Sequence, residues 1–558
     1  MSPISGRRQM SERQRGGDRA PAEKQDVCVI GSGVAGALVA YALSDRGHDV
    51  VMLEAGKRFD PANRLQRMER AIRPEYHLPE VWDMGGERDR FTSSGDLYYA
   101  LNRTRVKAVG GTTLHWLGIT PRFHEKDFEM QSRYGLASDW PIGYEDLRPY
   151  YAEAETELGV SGGTDNPFAP PRETDFPMDA FPASYSDSLF AEACEALGIT
   201  MHSVPQARNS EPYDDRSQCV GYSTCIPVCP SGAKYSGDVH VRKAQSNGAR
   251  VISQAPVQYL EHDSAGERVE AAVYATPDGE RHRQEARQFV LACGAVEIPR
   301  LLLLSRSSQY PEGLANTSGV VGKYFMDHLV VRVGAELDEP TNQEPIGYQT
   351  RETHQFYDHD DSPPGSVKLV FENVNPPSLA ESALRGGDTG TPGDLSDVVA
   401  GDTWGDELVD TVRDRMPNRR VGMFGNPETL PRAENSVTLD YEKTDSHGNP
   451  VPDVSFTIGG YERRTIEFIR DVQRDILNEM DASNIVDSPL RTASHKMGTT
   501  RMGTDPSESV VDSRLRTHDL RNLSIASSSV FVTGGAMNPT LTIAALSLKA
   551  ADAIHRDL

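Results

Sequence analysis

Apolar and polar positions near the start of the chain alternate in short blocks. Residues 26–30 form an apolar run that predicts a buried strand, and residues 37–43 are small and apolar, as is typical of a buried helix. A second apolar run over 48–53 ends at Glu54 and predicts a second strand. Strand, helix and strand in this order predict a βαβ unit, in which the two strands are parallel.

Strand-sized apolar runs return in the middle of the chain, at 250–260, 269–276 and 287–293. Gly294 then opens an apolar helix, and residues 461–481 have the spacing of an amphipathic helix. The pattern therefore predicts an α/β protein whose strands come from segments that are far apart in sequence.

The charge of the chain narrows its possible partners. The 558 residues carry a formal net charge of −24, from 82 acidic and 58 basic residues. Such a surface repels phosphates, so nucleic acid is excluded as a partner. The basic residues include 11 lysines, and excess carboxylate with little lysine is typical of a salt-adapted, halophilic surface. An ordinary acidic protein from an arginine-rich genome is the alternative.

The first 24 residues are polar and charged, and they predict a disordered tail. Arg7 and Arg8 form a twin arginine, but no apolar segment follows them. A signal peptide is therefore not expected, and the chain by itself predicts a cytoplasmic location. It has no apolar stretch of about 18 residues, so direct membrane insertion is not predicted.

The turn between the first strand and the helix carries Gly31, Gly33 and Gly36, in the pattern G-x-G-x-x-G. The first glycine allows a tight turn, the second lets the backbone approach a pyrophosphate, and the third lets helix and strand pack closely. Glu54 stands where an acid accepts hydrogen bonds from ribose hydroxyls. A purely structural turn is the alternative, but this context predicts a dinucleotide site, and its place at the start of the chain favours FAD.

Two later blocks add candidate chemistry. A loop at 109–116 contains Gly110, Gly111, Thr112 and Thr113, followed by His115. Amides and hydroxyls in such a loop can wrap a cofactor, although plain turns share this composition.

Near the end of the chain, His495 lies in the run 494–503, and Asn538 precedes a proline and a helix of small residues. A lone histidine is more often structural than catalytic. A neutral imidazole with its usual pKa of about 6.5 can nevertheless accept a proton, and an amide can hold the same oxygen by a hydrogen bond.

Three of the six cysteines form a tight run. Cys219, Cys225 and Cys229 have the spacing C-x5-C-x3-C, and a proline follows the last one. Thiolates this close can hold iron, and three ligands without a fourth nearby cysteine suit a three-iron, four-sulfur cluster (3Fe-4S). A structural zinc site needs four ligands, and His240 is the only near candidate for the fourth. A disulfide with one free thiol is the remaining alternative.

These blocks together resemble the glucose-methanol-choline (GMC) oxidoreductase family, over 26–56, 109–123, 219–243, 291–304 and 494–552. Within it the chain is similar to the large subunits of bacterial FAD-dependent sugar and polyol dehydrogenases (glucose, fructose, sorbitol and gluconate types). The resemblance implies FAD as cofactor and hydride removal from an alcohol group of a sugar, polyol or related substrate. It implies His495 and Asn538 as the catalytic pair facing flavin N5.

The implied cofactor-binding residues are Gly31, Gly33, Gly36, Glu54, Gly110, Gly111, Thr112, Thr113, His115, Gly294, Ser527, Asn538 and Thr540. Ser527 stands where many members of the family have an acid, which changes one FAD contact. His115 stands where pyranose-oxidising relatives link FAD covalently, but the same His-Trp pair also occurs where FAD is non-covalent. A plain flavin contact is the expectation, and a covalent link is the alternative.

The resemblance also bears on the electron acceptor. In the dehydrogenase large subunits the same cysteine spacing holds a cluster that relays electrons from FAD to a cytochrome c subunit, so Cys219, Cys225 and Cys229 are the implied iron ligands. Such subunits often travel with a small subunit that carries a twin-arginine signal, so export and membrane association are the alternative location. An oxygen-reducing GMC alcohol oxidase and a non-catalytic flavin electron-transfer subunit are the alternative functions.

The resemblance finally implies a doubly wound, Rossmann-like FAD-binding domain assembled from discontinuous segments, at 25–130, 240–330 and 490–558. An α+β substrate domain is expected from 131–239 and 331–489, with a sheet over the flavin and the cysteine run at 219–229. The residues of the second segment do not identify the alcohol.

Overall fold

The computed structural model describes residues 19–71, 81–341, 347–358, 365–373, 405–406 and 419–558. Most of the predicted disordered tail at 1–24 therefore lies outside the described residues. The last residues of that segment contact the folded part, because the N–H of Ala22 donates to Gln284 at 2.8 Å.

The strands are short and form several sheets. In chain order they are β1 (Gln25–Ile30), β2 (Val50–Glu54), β3 (Thr92–Ser94), β4 (Ser161–Gly162), β5 (Met178–Asp179), β6 (His202–Ser203), β7 (Arg250–Ser253), β8 (Val257–His262), β9 (Val269–Ala275), β10 (Arg281–Leu291), β11 (Leu329–Glu336), β12 (Gln349–Thr353), β13 (Val367–Glu372), β14 (Arg420–Pro427), β15 (Ser436–Thr444), β16 (Pro450–Ser455), β17 (Ser483–Asp487), β18 (Arg491–Thr492) and β19 (Leu523–Ile525).

The helices connect and cover these sheets. They are α1 (Val34–Asp45), α2 (Arg64–Ala71), α3 (Met130–Tyr134), α4 (Tyr144–Leu158), α5 (Tyr185–Ala196), α6 (Asp238–Ser246), α7 (Gly294–Leu304), α8 (Gly460–Glu479) and α9 (Thr540–Asp557). Within the described ranges, none of them combines the length and the apolar character that a membrane span requires.

The first sheet has the parallel strand order β7–β2–β1–β10–β19. The long strand β10 extends beyond β1, and its residues 281–285 pair antiparallel with β9, which pairs in turn with β8. Parallel neighbours need a crossover connection, which α1 supplies between β1 and β2. The apolar run of β2 is buried throughout, as expected for a sheet covered on both faces.

One hydrophobic core joins this sheet to its helices. α1 packs against α6 and α9, while α7 packs against β8. Val29, Leu38, Leu291 and Leu546, from two strands and two helices, are fully buried in this core. The predicted doubly wound fold with strands from distant segments is confirmed, whereas the residue bounds of the two domains stay a prediction.

The second large sheet is antiparallel, in the order β17–β11–β14–β13–β12–β6, and β18 also pairs with β11. α8 packs against β11 and β14, and α5 packs against β13. Successive residues of β11 alternate between buried and half-buried, because successive side chains point to opposite faces of a sheet. A sheet with helices on it is the α+β arrangement predicted for this part of the chain.

Candidate active site

The turn between β1 and α1 has the geometry that its glycines predict. Gly31 has a φ of +100°, and a Cβ there would lie 2.8 Å from the carbonyl oxygen of Ala292. A Cβ on Gly36 would lie 2.0 Å from the carbonyl oxygen of Gly31, so Gly36 lets α1 pack on the turn. A Cβ on Gly33 would lie 4.0 Å from the Cα of Gly111, the nearest atom among the described residues beyond its chain neighbours. Gly33 instead borders a large cavity.

The first turn of α1 is suited to binding an anion. Among the described residues no side chain caps this turn, and it contains no acid. Its N–H groups therefore retain the partial positive charge of a helix amino terminus. Gly33, Val34 and Ala35 line the cavity, so the turn borders a space that would suit a pyrophosphate.

Glu54 ends β2 on the wall of the same cavity. Its carboxylate accepts hydrogen bonds from the N–H of Ser32 at 3.0 Å, the hydroxyl of Ser32 at 2.7 Å and the N–H of Gly56 at 2.9 Å. Burial raises the pKa of Glu54, while these donors lower it. The carboxylate is thereby held in one orientation, and Ser32 is a contact that the glycine pattern did not predict.

Gly33→Ala is expected to weaken cofactor binding without destabilising the apoprotein. The added methyl group would occupy the cavity, and the φ of −66° at Gly33 is one that alanine adopts. Gly36→Ala is the matched control, because its methyl group would clash with the backbone and cost at least about 1–3 kcal/mol of folding free energy. FAD content and the melting temperature of each apoprotein are the measurements. Equal losses of melting temperature would contradict the role given to Gly33.

The glycine–threonine loop lies across the glycine turn. A Cβ on Gly111 would lie 2.7 Å from the Cα of Gly33, so this close approach requires glycine. The Thr113 hydroxyl donates to the carbonyl of Gly110 at 2.6 Å and accepts the N–H of Gly237 at 2.8 Å. Thr113 thus uses its hydroxyl to brace the loop, while residues 111–113 line the cavity.

His115 is buried on the cavity wall, and its Nδ1 has no partner among the described residues. Burial, together with the charges of Lys234 and Lys496, lowers the pKa of His115 to about 3, so the imidazole is neutral. An unsatisfied polar atom on a cavity wall is a place where a bound group can complete the hydrogen bonding.

His495 and Asn538 meet on the wall of this cavity, although they come from different parts of the fold. The Nε2 of His495 lies 2.9 Å from the Nδ2 of Asn538. The main-chain N–H of His495 donates to Asp327 at 2.7 Å, and Asn538 lies just before α9. The structure therefore brings the predicted pair together, and its catalytic role is a proposal developed below.

The surroundings of His495 keep its imidazole neutral. Burial lowers its pKa well below the usual value. Electrostatic interactions with His328, Lys368 and Lys496 lower it further. Asp327, which accepts the main-chain N–H of His495, has a pKa that burial raises to about 6. A neutral imidazole is the form that can accept a proton.

The rate of flavin reduction by substrate is expected to stay constant as the pH falls from about 8 to 6.5. A pKa below the usual value means that His495 remains unprotonated, and competent as a base, throughout this range. The measurement is the rate of anaerobic flavin reduction against pH. Asp327→Asn is the control for any inflection at lower pH. A loss of half the rate at about pH 6.5, unchanged in that variant, would contradict the expectation.

A single cavity of ≈ 510 Å³ extends from the glycine turn to His495 and Asn538. The predicted residues that line it are Gly31, Gly33, Glu54, Gly111, Thr112, Thr113, His115, Gly294, His495, Ser527, Asn538 and Thr540. Gly36 and Gly110 do not line it. Gly36 serves the packing of α1, and a Cβ on Gly110 would lie 3.0 Å from the N of Asp238. The predicted residues that do line the cavity are therefore arranged along a space that suits an extended dinucleotide.

Sequence reasoning missed three buried residues around the pair. Lys368 donates a hydrogen bond to Oδ1 of Asn538. The Nδ1 of His328 lies 2.9 Å from the Nδ1 of His495, and Asp327 accepts the main-chain N–H noted above. The sequence contained a signal for Lys368, which stands within the apolar strand β13. A lysine in such a strand is rarely buried without a polar partner, so its position indicated a buried contact.

The cysteine run lies in a loop before α6, and Cys219, Cys225 and Cys229 are all free thiols. The disulfide alternative is therefore wrong in this structure. Within the described residues, no three His, Cys, Asp or Glu side chains converge as a single metal ion would need. His240, the candidate fourth ligand for zinc, is engaged with Glu157 at 2.8 Å.

Buried cations surround this run. Arg208 donates to Sγ of Cys219 at 3.6 Å, and Lys234 donates to the carbonyl of Cys225 at 2.7 Å. Burial raises the pKa of Cys225. Burial acts on Cys229 in the same direction, but hydrogen bonds and the charge of Lys234 outweigh it, so the pKa of Cys229 is lowered. The site thus favours a thiolate at Cys229.

Comparison with known proteins supports the class of FAD-dependent oxidoreductases that the sequence predicts. Residues 91–330 and 431–547 match family models described as GMC oxidoreductase, and residues 26–117 match one described as FAD dependent oxidoreductase. The fructose dehydrogenase large subunit of Gluconobacter japonicus is 35% identical, over 96% of this chain and 98% of that protein. The 2-methyl-1,2-propanediol dehydrogenase of Mycolicibacterium austroafricanum is 32% identical, over 96% of each chain.

Solved structures share the fold. The pyridoxine 4-oxidase from Mesorbium loti superposes with a TM-score of 0.64 at 17% identity, over 96% of this chain and 99% of that one. The chain belongs to the GMC oxidoreductase family. It is an FAD-dependent oxidoreductase that acts on CH–OH groups.

Proposed function

We propose that this protein is an FAD-dependent dehydrogenase that oxidises an alcohol group of a sugar, polyol or related substrate. In this proposal it passes electrons through an iron–sulfur cluster to an external acceptor. The observation that carries the catalytic part is the contact of 2.9 Å between His495 Nε2 and Asn538 Nδ2, on the wall of the cavity that begins at the glycine turn. The names of the fructose and propanediol dehydrogenases support the substrate class.

The oxidation needs one proton acceptor and one hydride acceptor. The substrate hydroxyl replaces the direct contact between the two side chains. It donates to His495 Nε2 and accepts a hydrogen bond from Asn538 Nδ2, so its oxygen is held between them. As the C=O bond forms, the O–H proton moves to His495, and the carbon-bound hydrogen leaves with its electron pair. Bound FAD supplies the acceptor for that hydride. The protein supplies the base and the orientation.

The cofactor contacts follow from the cavity wall. Gly31 and Gly33, with the first turn of α1, would hold the pyrophosphate, and Glu54 would accept the ribose hydroxyls. Residues 111–113 and Gly294, Ser527 and Thr540 would line the remainder of FAD. For His115 we propose a plain flavin contact made through its Nδ1, which finds no partner in the described part of the chain.

An iron–sulfur cluster on Cys219, Cys225 and Cys229 would supply a one-electron relay. Ligands of a cluster bind different irons and do not need to converge on one ion. The two buried cations, Arg208 and Lys234, support an anionic group at this place. Burial lowers the pKa of Lys234, and the nearby thiolates of Cys225 and Cys229 partly oppose this effect. The resulting pKa is about 8.

The cysteine run adjoins the cofactor cavity. Ile226, which follows Cys225, lines that cavity. The ammonium of Lys234 donates to the carbonyls of both Cys225 and Trp116, and Trp116 lies in the glycine–threonine loop. The indole N–H of Trp116 donates to the carbonyl of Tyr235 at 2.8 Å. These contacts support a short route from flavin to cluster.

A relay of this kind implies partners. The Gluconobacter relative is, by its name, a large subunit. We propose a small subunit with a twin-arginine signal and a cytochrome c acceptor for this chain too. The chain by itself predicts a cytoplasmic location, and export with that subunit to a membrane-associated complex is the alternative that these partners would imply.

Anaerobic purification in high salt tests the proposal. The absorption spectrum reports the flavin, and chemical analysis gives iron and acid-labile sulfide per flavin. We expect about three irons for each flavin, and bleaching of the flavin by a sugar or polyol from a substrate panel. Flavin without iron, in protein never exposed to oxygen, would contradict the relay.

An oxygen-reducing alcohol oxidase is the second candidate. Three free thiols without a cluster would fit it, because an oxidase passes its electrons directly to oxygen and needs no relay. Peroxide formed in proportion to the alcohol consumed under air, from iron-free enzyme, would establish this candidate. Peroxide at trace level with fast dye reduction would support the dehydrogenase.

A further inference from the structure

His328 occupies a position that leaves only one arrangement of its protons. It is fully buried just before β11, and its Nε2 lies 2.8 Å from the carbonyl oxygen of Gly535 and 3.2 Å from that of Gly534. Carbonyl oxygens only accept hydrogen bonds, so Nε2 carries a hydrogen. Burial lowers the pKa of His328 to about 4, so the ring is neutral and its Nδ1 is unprotonated.

The unprotonated Nδ1 of His328 faces His495. The two Nδ1 atoms lie 2.9 Å apart, and one of them must donate. Since the Nδ1 of His328 has no hydrogen, His495 donates from its own Nδ1. A neutral His495 with a hydrogen on Nδ1 has a bare Nε2.

The contacts on the Nε2 side of His495, through Asn538 and Lys368, independently favour the same tautomer. An ammonium group only donates, so Lys368 fixes Oδ1 of Asn538 as the acceptor of its hydrogen bond. The amide nitrogen of Asn538 therefore points at His495 Nε2, 2.9 Å away, and donates to it. A hydrogen on Nε2 would place two donors face to face. The opposite tautomer of His495 is thus disfavoured by the Lys368–Asn538 contact as well as by His328, and both contacts together establish the preference.

We propose that His328 is a positioning residue, which holds His495 in the tautomer with an unprotonated Nε2. The amide of Asn538 donates to that lone pair in this structure, and the substrate hydroxyl takes its place and gives up its proton there. The inference rests on the proposed function of His495 as the base. His328 contacts neither substrate nor cofactor in this proposal, since it does not line the cavity. After proton transfer, the Nδ1–H of the imidazolium keeps its hydrogen bond to His328, so the charged ring stays in place.

Two variants separate the contacts of His328. His328→Gln retains a donor that can reach the Gly535 carbonyl, but it has no acceptor at the position of Nδ1. His328→Asn places its amide oxygen near that position and restores an acceptor for the Nδ1–H of His495. We expect His328→Gln to lower the rate of anaerobic flavin reduction about 10- to 100-fold with little change in KM. His328→Asn should recover most of that loss.

A measurement independent of turnover reads the tautomer directly. In protein labelled with 15N-histidine, the His495 resonances are assigned by their loss in His495→Gln. We expect a protonated Nδ1 and a bare Nε2 in the native enzyme and in His328→Asn, and a mixture in His328→Gln. A protonated Nε2 in the native enzyme would overturn the inference, as would a His328→Gln enzyme with the native rate.

Failure of the inference can be told apart from failure of the proposed function. If His495→Gln itself retains the native rate, His495 is not the base and the proposed function fails. If His495→Gln is slow while His328→Gln is fast, only the positioning role fails. If His328→Gln loses FAD or its cooperative melting, the 15N spectrum of the native enzyme still shows which nitrogen of His495 is protonated and so tests the inference.

Discussion

His495→Gln is expected to lower the rate of flavin reduction by substrate about 10²–10⁴-fold, the usual contribution of a positioned general base. Glutamine approximates the size of histidine but cannot accept and retain the hydroxyl proton. The contact with Asn538 at 2.9 Å places the lost atom on the cavity wall. The measurement is the single-turnover rate under anaerobic conditions.

FAD content and melting temperature are measured in parallel, because a loss of cofactor would lower activity for another reason. His282→Gln is the control, since His282 lies in the antiparallel part of β10 and does not line the cavity. It should leave the rate unchanged. A His495→Gln enzyme that binds FAD and reduces it within threefold of the native rate would remove His495 from the chemistry.

Cys225→Ala is expected to lower the iron content from about three per flavin to almost none, because a cluster that loses one thiolate ligand does not assemble. Reduction of the flavin by substrate should persist, since His495 and Asn538, the proposed catalytic pair, are untouched. Reduction of cytochrome c under steady turnover should be lost with the relay. Iron analysis, flavin reduction and cytochrome c reduction are measured on the same anaerobic preparation.

Cys194→Ala is the matched control, because Cys194 is a free and buried thiol on α5, outside the cysteine run. It should retain both iron and cytochrome c reduction. Two results would argue against the relay. One is full cytochrome c reduction by Cys225→Ala without iron, and the other is iron that remains after the substitution.

The cysteine run also shows what local spacing can and cannot provide. The pattern of Cys219, Cys225 and Cys229 identified candidate ligands, because neighbouring positions in a loop stay close in space. It did not reveal Arg208 and Lys234, whose charges reach these thiols from outside the run. The cluster, the halophilic surface and the domain bounds all stay predictions.

The sequence by itself determined the dinucleotide-binding half of this protein. Gly31, Gly33 and Gly36 act through backbone geometry within a few residues, and apolar runs of strand and helix length report burial directly, so periodicity and spacing were sufficient. The pairing of His495 with Asn538 came from the resemblance of whole blocks to a family. It did not follow from any local pattern.

Only the tertiary structure decided which residues contact His495 and Asn538. His328 and His495 are 167 residues apart, and Lys368 and Asn538 are 170 residues apart. Neither residue spacing nor periodicity carries information about such contacts. The direction of each hydrogen bond depends on which donors and acceptors meet when the two sheets pack together, because a buried polar atom must find its partner within the fold.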